Sequence, residues 1–180
     1  MNARGLLVAA VLISAASMPA KADLASGIAA YEARDFATAL VAFENQARAG
    51  DAEAQYRLAT MFENGDGVDA NETKAWSWLK RAAEANHVGA QRRLAEYYES
   101  GRGVPMSFAE AYKWYKRAAE GGDVAAQTKV GLANLYGKGK KPNFLEAVRW
   151  LKAAAAAGDP QAREALTELA SKGVAGPGQS

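Results

Sequence analysis

Three consecutive segments decide the fold: DAEAQYRLATMFENGDGVDANETKAWSWLKRAAEAN (51–86), HVGAQRRLAEYYESGRGVPMSFAEAYKWYKRAAEGG (87–122) and DVAAQTKVGLANLYGKGKKPNFLEAVRWLKAAAAAG (123–158). They align without a gap, at a period of 36 residues. Ala54-Gln55 returns as Ala90-Gln91 and Ala126-Gln127, and Gly65-x-Gly67 returns as Gly101-x-Gly103 and Gly137-x-Gly139. Ala75, Ala111 and Ala147 share one register, as do Trp78, Trp114 and Trp150. Self-similarity at such a period marks a stack of supersecondary units, because one unit cannot bury its apolar faces alone.

Each copy reads as helix A, loop, helix B. In the first copy Asp51 is a good N-cap, and Ala54, Leu58, Met61 and Phe62 fall on one helical face. Ala90, Leu94 and Ala126 continue that face in the later copies. The Gly-x-Gly ends helix A, since glycine reaches positive φ without strain. Asn71, Ser107 or Asn143 opens helix B, whose apolar stripe is Ala75, Trp78, Leu79, Ala82 and Ala83. The tryptophans are expected to be core, filling the space between units. His87 stands where the other copies have Asp and is expected to be an exposed, poor cap. In the third copy Leu132, Leu135 and Tyr136 sit two residues later than Leu58, Met61 and Phe62, predicting a longer helix A and a shorter loop.

The flanks follow the same plan. Residues 23–50 read as a degenerate N-terminal repeat, with Ala39 and Phe43 in the register of Ala75 and Leu79. Residues 159–172 repeat helix A alone and would cap the array; 173–180 read as a flexible tail. Residues 1–22 read as a secretory signal peptide: Arg4, an apolar run from Leu6 to Ala16, then Ala20-Lys21-Ala22. That run is shorter than the ~20 residues of a spanning helix, so no stable membrane insertion is expected after cleavage.

Composition narrows the chemistry. The 180 residues contain no cysteine and one histidine, which excludes disulfides, thiolate metal sites and a Cys nucleophile. No metal or cofactor site is expected. An exported, cysteine-free chain with a substantial core points to the periplasm, or to secretion. The full chain carries net charge +2, but Arg4 and Lys21 lie in the leader, so the remainder is neutral and nucleic acid is an unsuitable partner. Charge is uneven along the repeats: −3 over 51–86, +2 over 87–122 and +4 over 123–158. An acidic partner would be steered toward the C-terminal half, where Lys138, Lys140 and Lys141 are densest.

The pattern A-Q-x-x-L-A-x-x-[YF]-x-x-G-x-G-V followed by [KE]-A-x-x-W-[LY]-K-R-A-A resembles the Sel-one-like repeat (SLR), a relative of the tetratricopeptide repeat. The likeness covers about residues 24–172. It implies an all-α, right-handed α-solenoid of helix-turn-helix repeats working as a protein-interaction scaffold. A cysteine-rich branch of the family is associated with β-lactam binding or hydrolysis, and this chain has none of that branch's Cys pairs. The resemblance also implies an inner wall lined mainly by A helices. Polar positions there are the candidate partner-binding residues: Tyr56, Arg57, Thr60, Arg92, Arg93, Glu96 and Lys129. Arg57, Arg93 and Lys129 share one offset, a cationic row suited to a carboxylate.

Ser77-x-x-Lys80 matches the serine β-lactamase nucleophile motif, but lacks S-D-N and K-T-G partners, and Ser77 lies opposite the apolar stripe. The expected function is therefore a non-enzymatic periplasmic adaptor, monomeric, binding another protein or peptide on its concave face. A β-lactam or cell-wall hydrolase and a peptidoglycan- or glycan-binding module are the alternatives.

Overall fold

The computed structural model describes residues 23–171; the expected leader and tail lie outside them. The described residues are helical with connecting turns. Helices α1 (Leu24–Glu32) and α2 (Phe36–Arg48) form the first hairpin. Three longer units follow: α3 (Ala52–Asn64) with α4 (Glu72–Glu84), α5 (Val88–Ser100) with α6 (Phe108–Glu120), and α7 (Val124–Tyr136) with α8 (Phe144–Ala156). Helix α9 (Pro160–Ser171) closes the array. The substantial contacts join helices adjacent in the chain, with α7 against α9 the one further pair, the pattern of a solenoid.

Side-chain caps set the helix starts. Asp51, Asp123 and Asp159 accept from the backbone N–H three residues on, at 2.7, 2.8 and 2.7 Å. Asn71, Ser107 and Asn143 do the same for the B helices. His87 also caps: its Nδ1 accepts from Ala90 N at 3.0 Å. Its ring is largely enclosed, stacked on Tyr56 with centroids 4.6 Å apart, while Nε2 donates to Glu53 at 2.8 Å. The expectation of an exposed, ineffective cap is thus wrong. An imidazole with an unprotonated Nδ1 supplies the acceptor that the aspartates supply elsewhere.

The repeated dipeptides have mechanical roles. Gln55, Gln91 and Gln127 each donate Nε2 to the carbonyl of Ala47, Ala83 or Ala119, at 3.1, 3.2 and 3.3 Å. Each carbonyl also accepts a backbone N–H of its own turn, from Gly50, Asn86 or Gly122, and the added glutamine bond fixes the next unit on the end of the previous B helix. In the Gly-x-Gly loops the first glycine is the left-handed C-cap. The second presses on the previous unit's B helix: a Cβ on Gly67 would lie 2.5 Å from the Phe36 Cβ, and one on Gly139 would overlap the Phe108 carbonyl.

The alanines of the stripe are buried as expected: Ala54, Ala75, Ala90, Ala126 and Ala147 are fully enclosed, and Ala111 nearly so. Leu58 and Leu94 join them. Two expectations need correction. Trp150 is buried, but Trp78 and Trp114 are only half-buried. The guanidinium of Arg81 or Arg117 covers the outer face of each ring, 4.7 and 4.9 Å from the centroid. Nor does the third unit slip. α7 has the same 13 residues as α3 and α5, and its Gly137 cap is in register with Gly65 and Gly101. Val130 takes the place of Leu58, while Leu132 and Leu135 turn to the cluster shared with α8 and α9.

Candidate functional site

Ion pairs across units tie the A helices to one another. Arg93 of α5 reaches Glu63 of α3 at 3.1 Å, and Lys129 of α7 reaches Glu99 of α5 at 3.0 Å, the same spacing of 30 residues. Arg92 bridges Asp123 and Glu96, at 2.9 and 2.8 Å, and Glu96 also accepts from Arg93. Arg57 has no counterpart glutamate before it and pairs with Glu53 on its own helix at 2.6 Å. The expected cationic row therefore exists as a row, but each member already holds a carboxylate of this chain. Burial works against the charge on Arg92 and Arg93, yet the adjacent carboxylates outweigh it and keep both guanidinium groups firmly protonated. Thr60 donates to the Tyr56 carbonyl, and the Tyr56 ring stacks on His87.

The lysines of the third unit converge on one place. Lys138 donates to Glu99 Oε1 at 2.7 Å and lies over the Phe108 ring, 4.4 Å from its centroid. Lys140 donates to Asn134 Oδ1 and sits over the Tyr112 ring. Lys141 is exposed beside them. Glu99 is the hub, because its Oε2 also accepts from Tyr115 and Lys129, at 2.8 and 3.0 Å. Burial alone would raise its carboxyl; the bonds from Lys138, Lys129 and Tyr115 outweigh that and hold it down at about 2. Tyr115 moves the other way, its hydroxyl raised by burial first and by Glu99 second.

Beside this hub opens a groove of about 210 Å³ between the second and third units. Ala111, Tyr112 and Tyr115 of α6 form one wall, and Leu132 and Ala133 of α7 the other. Phe108 and Tyr136 stand at the rim, Tyr136 with 66% of its surface exposed. Of the residues singled out from sequence, Lys129 and Lys138 reach this groove, and Lys140 borders it through Tyr112. Tyr56, Arg57 and Thr60 lie a unit away, on α3. Tyr112 is half-buried in the groove wall.

Sequence reading missed Glu99, Phe108, Tyr115, Leu132, Ala133 and Tyr136. A signal existed. Read without a slip, Met61, Tyr97 and Ala133 share one register, and the first two are buried core residues. At Ala133 the repeat drops a large side chain, and the groove opens there.

Ser77 is exposed on α4, and Lys80 is drawn over the Trp76 ring, so the S-x-x-K pair is not poised as nucleophile and base. Among the described residues no group of three or more His, Asp or Glu side chains could hold a metal ion, and no helix is long and apolar enough to cross a membrane.

The Sel1 repeat profile matches residues 52–87, 88–123 and 124–159. Among solved structures, a Sel1 repeat protein from Oxalobacter formigenes is 31% identical, with a TM-score of 0.77, over 81% of this chain and 60% of that one. A protective antigen of uropathogenic Escherichia coli, displaying an SLR fold, is 30% identical, with a TM-score of 0.79, over 83% of this chain and 33% of that one. The chain thus spans 60% and one third of the lengths of these two relatives. Helicobacter pylori cysteine rich protein B is 25% identical, with a TM-score of 0.52, over 68% of this chain and 92% of that one. No curated protein matches significantly.

Proposed function

Because the chain belongs to the Sel1 repeat family, we propose that it is an exported, non-enzymatic scaffold holding a partner protein on its A-helix face. Sel1 repeats mediate protein–protein interaction, and the three repeats here form such a solenoid. The observation that carries the reading is the groove between the second and third units. It is an apolar, open site rimmed by the exposed rings of Phe108 and Tyr136 on an otherwise ion-paired face. Exposed rings beside a concave apolar floor are what a partner's anchoring side chain uses, while the surrounding ion pairs keep the surface preorganised. The cation-rich rim of Lys138, Lys140 and Lys141 suits a partner with acidic residues beside its anchor. The leader-like residues 1–22 support placement in the periplasm or outside the cell.

The test is a crosslinking pull-down from envelope extract with residues 23–180 as bait. A second bait carries Tyr136→Glu, an exposed position whose change leaves the core intact. A saturable protein partner, lost from the second bait, is expected. Retention of glycan alone, or of no saturable partner, would overturn the reading. Sequencing of the purified protein's N-terminus should begin at Asp23 if the export reading holds, and at Met1 if it does not.

A further inference from the structure

The repeat itself indicates what the groove is shaped to hold. In the second unit the equivalent place is filled from within. Tyr97, in the register of Ala133, is 1% exposed, and its ring occupies the space between α4 and α5. Shifting each groove residue back by one period gives the walls around Tyr97: Glu99 becomes Glu63, Lys129 becomes Arg93, Lys138 becomes Arg102 and Tyr112 becomes Trp76. Arg102 lies over the Tyr97 ring, 5.2 Å from its centroid. The Tyr97 hydroxyl is buried without a hydrogen bond, and burial first, then the nearby Glu63 carboxylate, hold it protonated. In the third unit the carboxylate and the two cations remain, and the tyrosine is gone.

We infer that the groove binds a tyrosine side chain supplied by the partner, its ring seated over Ala133 as that of Tyr97 is seated one unit earlier, and its hydroxyl directed to Glu99 and Lys138. This rests on the scaffold reading and names the anchor that the scaffold takes. Beyond Ala133, several lining positions differ from the filled counterpart: Tyr115 stands where Leu79 stands and donates its own hydroxyl to Glu99, Tyr112 replaces Trp76 and Tyr136 replaces Ser100. Two further changes suit an incoming ring. Phe108 stands where Glu72 stands, so an acidic rim becomes an aromatic one. Leu132 stands where Glu96 stands, so a charged wall position becomes apolar. The polar end keeps its capacity. A carboxylate offers about four acceptor sites, and Glu99 uses three, for Tyr115, Lys129 and Lys138. A phenol hydroxyl can take the fourth. A phenylalanine would fill the ring site and leave that acceptor unused.

The probe is 4-methylphenol, the side chain of tyrosine, titrated into methyl-labelled protein and followed by NMR; toluene, the side chain of phenylalanine, is the comparison. Saturable shifts at the methyls of Ala111, Leu132 and Ala133 are expected, with a Kd on the order of 1 mM for so small a ligand. Toluene should bind about tenfold more weakly, for want of a hydrogen bond to a charged acceptor. Ala133→Tyr, which copies the second unit, should fill the groove and abolish binding. Ala133→Met, which copies the first, should weaken it strongly and keeps the test if the tyrosine variant misfolds. Absence of saturable shifts, equal binding by the filled variants, or toluene binding as tightly as 4-methylphenol would overturn the inference. A partner still captured in the pull-down would then show that the scaffold reading survives without it.

Discussion

Replacing Gly139 by alanine tests the loop clamp that sets one unit on the next. Gly139 has φ +80°, a left-handed conformation that costs an alanine about 1 kcal/mol. The added Cβ would also overlap the Phe108 carbonyl and lie 3.0 Å from Ala109 N. Both are backbone atoms at the start of α6 and cannot swing aside, so the loop must lift from the second unit. Forced displacement of packed structure costs about 1–3 kcal/mol. The sum is about 3 kcal/mol, or a fall in Tm of about 9 °C for a domain of this length. Gly158→Ala isolates the conformational part. Gly158 has φ +98°, and its nearest neighbour to a new Cβ is the end of the flexible Arg163 side chain, at 3.7 Å. That variant should lose about 1 kcal/mol, roughly 3 °C. Thermal melts followed by circular dichroism give both values. Equal losses in the two variants would refute the clamp.

Glu99 contributes stability that depends on pH. Its folded value, about 2, lies below the ordinary carboxylate value of 4.5, so the contribution is complete above 4.5 and is lost as pH falls from there toward 2. With its lysine partners about half exposed, the loss is on the order of 2 kcal/mol; urea titrations at pH 6 and pH 3 should show a smaller acid loss in Glu99→Gln, and an identical loss would contradict the hub. Trp150 is buried and donates Nε1 to Glu146 at 3.1 Å, whereas Trp114 is half-buried under Arg117. Trp150→Ala should therefore cost about 3–5 kcal/mol and Trp114→Ala about half that, with the reverse order in urea unfolding refuting the assignment. Asp123 caps α7 and accepts from Arg92, while Asp159 caps α9. Asp123→Ala should lose about 1–2 kcal/mol, more than Asp159→Ala, by the same unfolding measurement.

The helical units were legible because their determinants are local. An Asp, Asn or Ser three residues before a free N–H reads as a cap from sequence alone, and the stripe of Ala54, Leu58 and Ala75 needs only a helical period. What escaped depended on geometry across units. The row of Arg57, Arg93 and Lys129 was visible, but a partner glutamate 30 residues earlier shows only once the A helices are set side by side. Trp78 and Trp114 share a register with Trp150, yet an arginine one turn later closes their outer faces and removes the need for deeper burial. His87 was undervalued because its capping depends on which ring nitrogen carries the proton, and Glu53 from the preceding unit settles that. The groove was hidden by the treatment of Leu132, Leu135 and Tyr136 as displaced copies of core positions. That reading supplied a large residue where the chain has Ala133.

The central claim is that a partner enters the groove between the second and third units. The most direct measurement places a photo-crosslinking benzoylphenylalanine at position 136, on the rim, and in a second protein at position 152, an exposed site on α8. Both are irradiated in envelope extract, with and without Ala133→Tyr. The account predicts one discrete protein adduct from position 136, lost when Ala133→Tyr fills the groove, and no such adduct from position 152. An adduct that forms equally from both positions, or that persists in the filled groove, would contradict it.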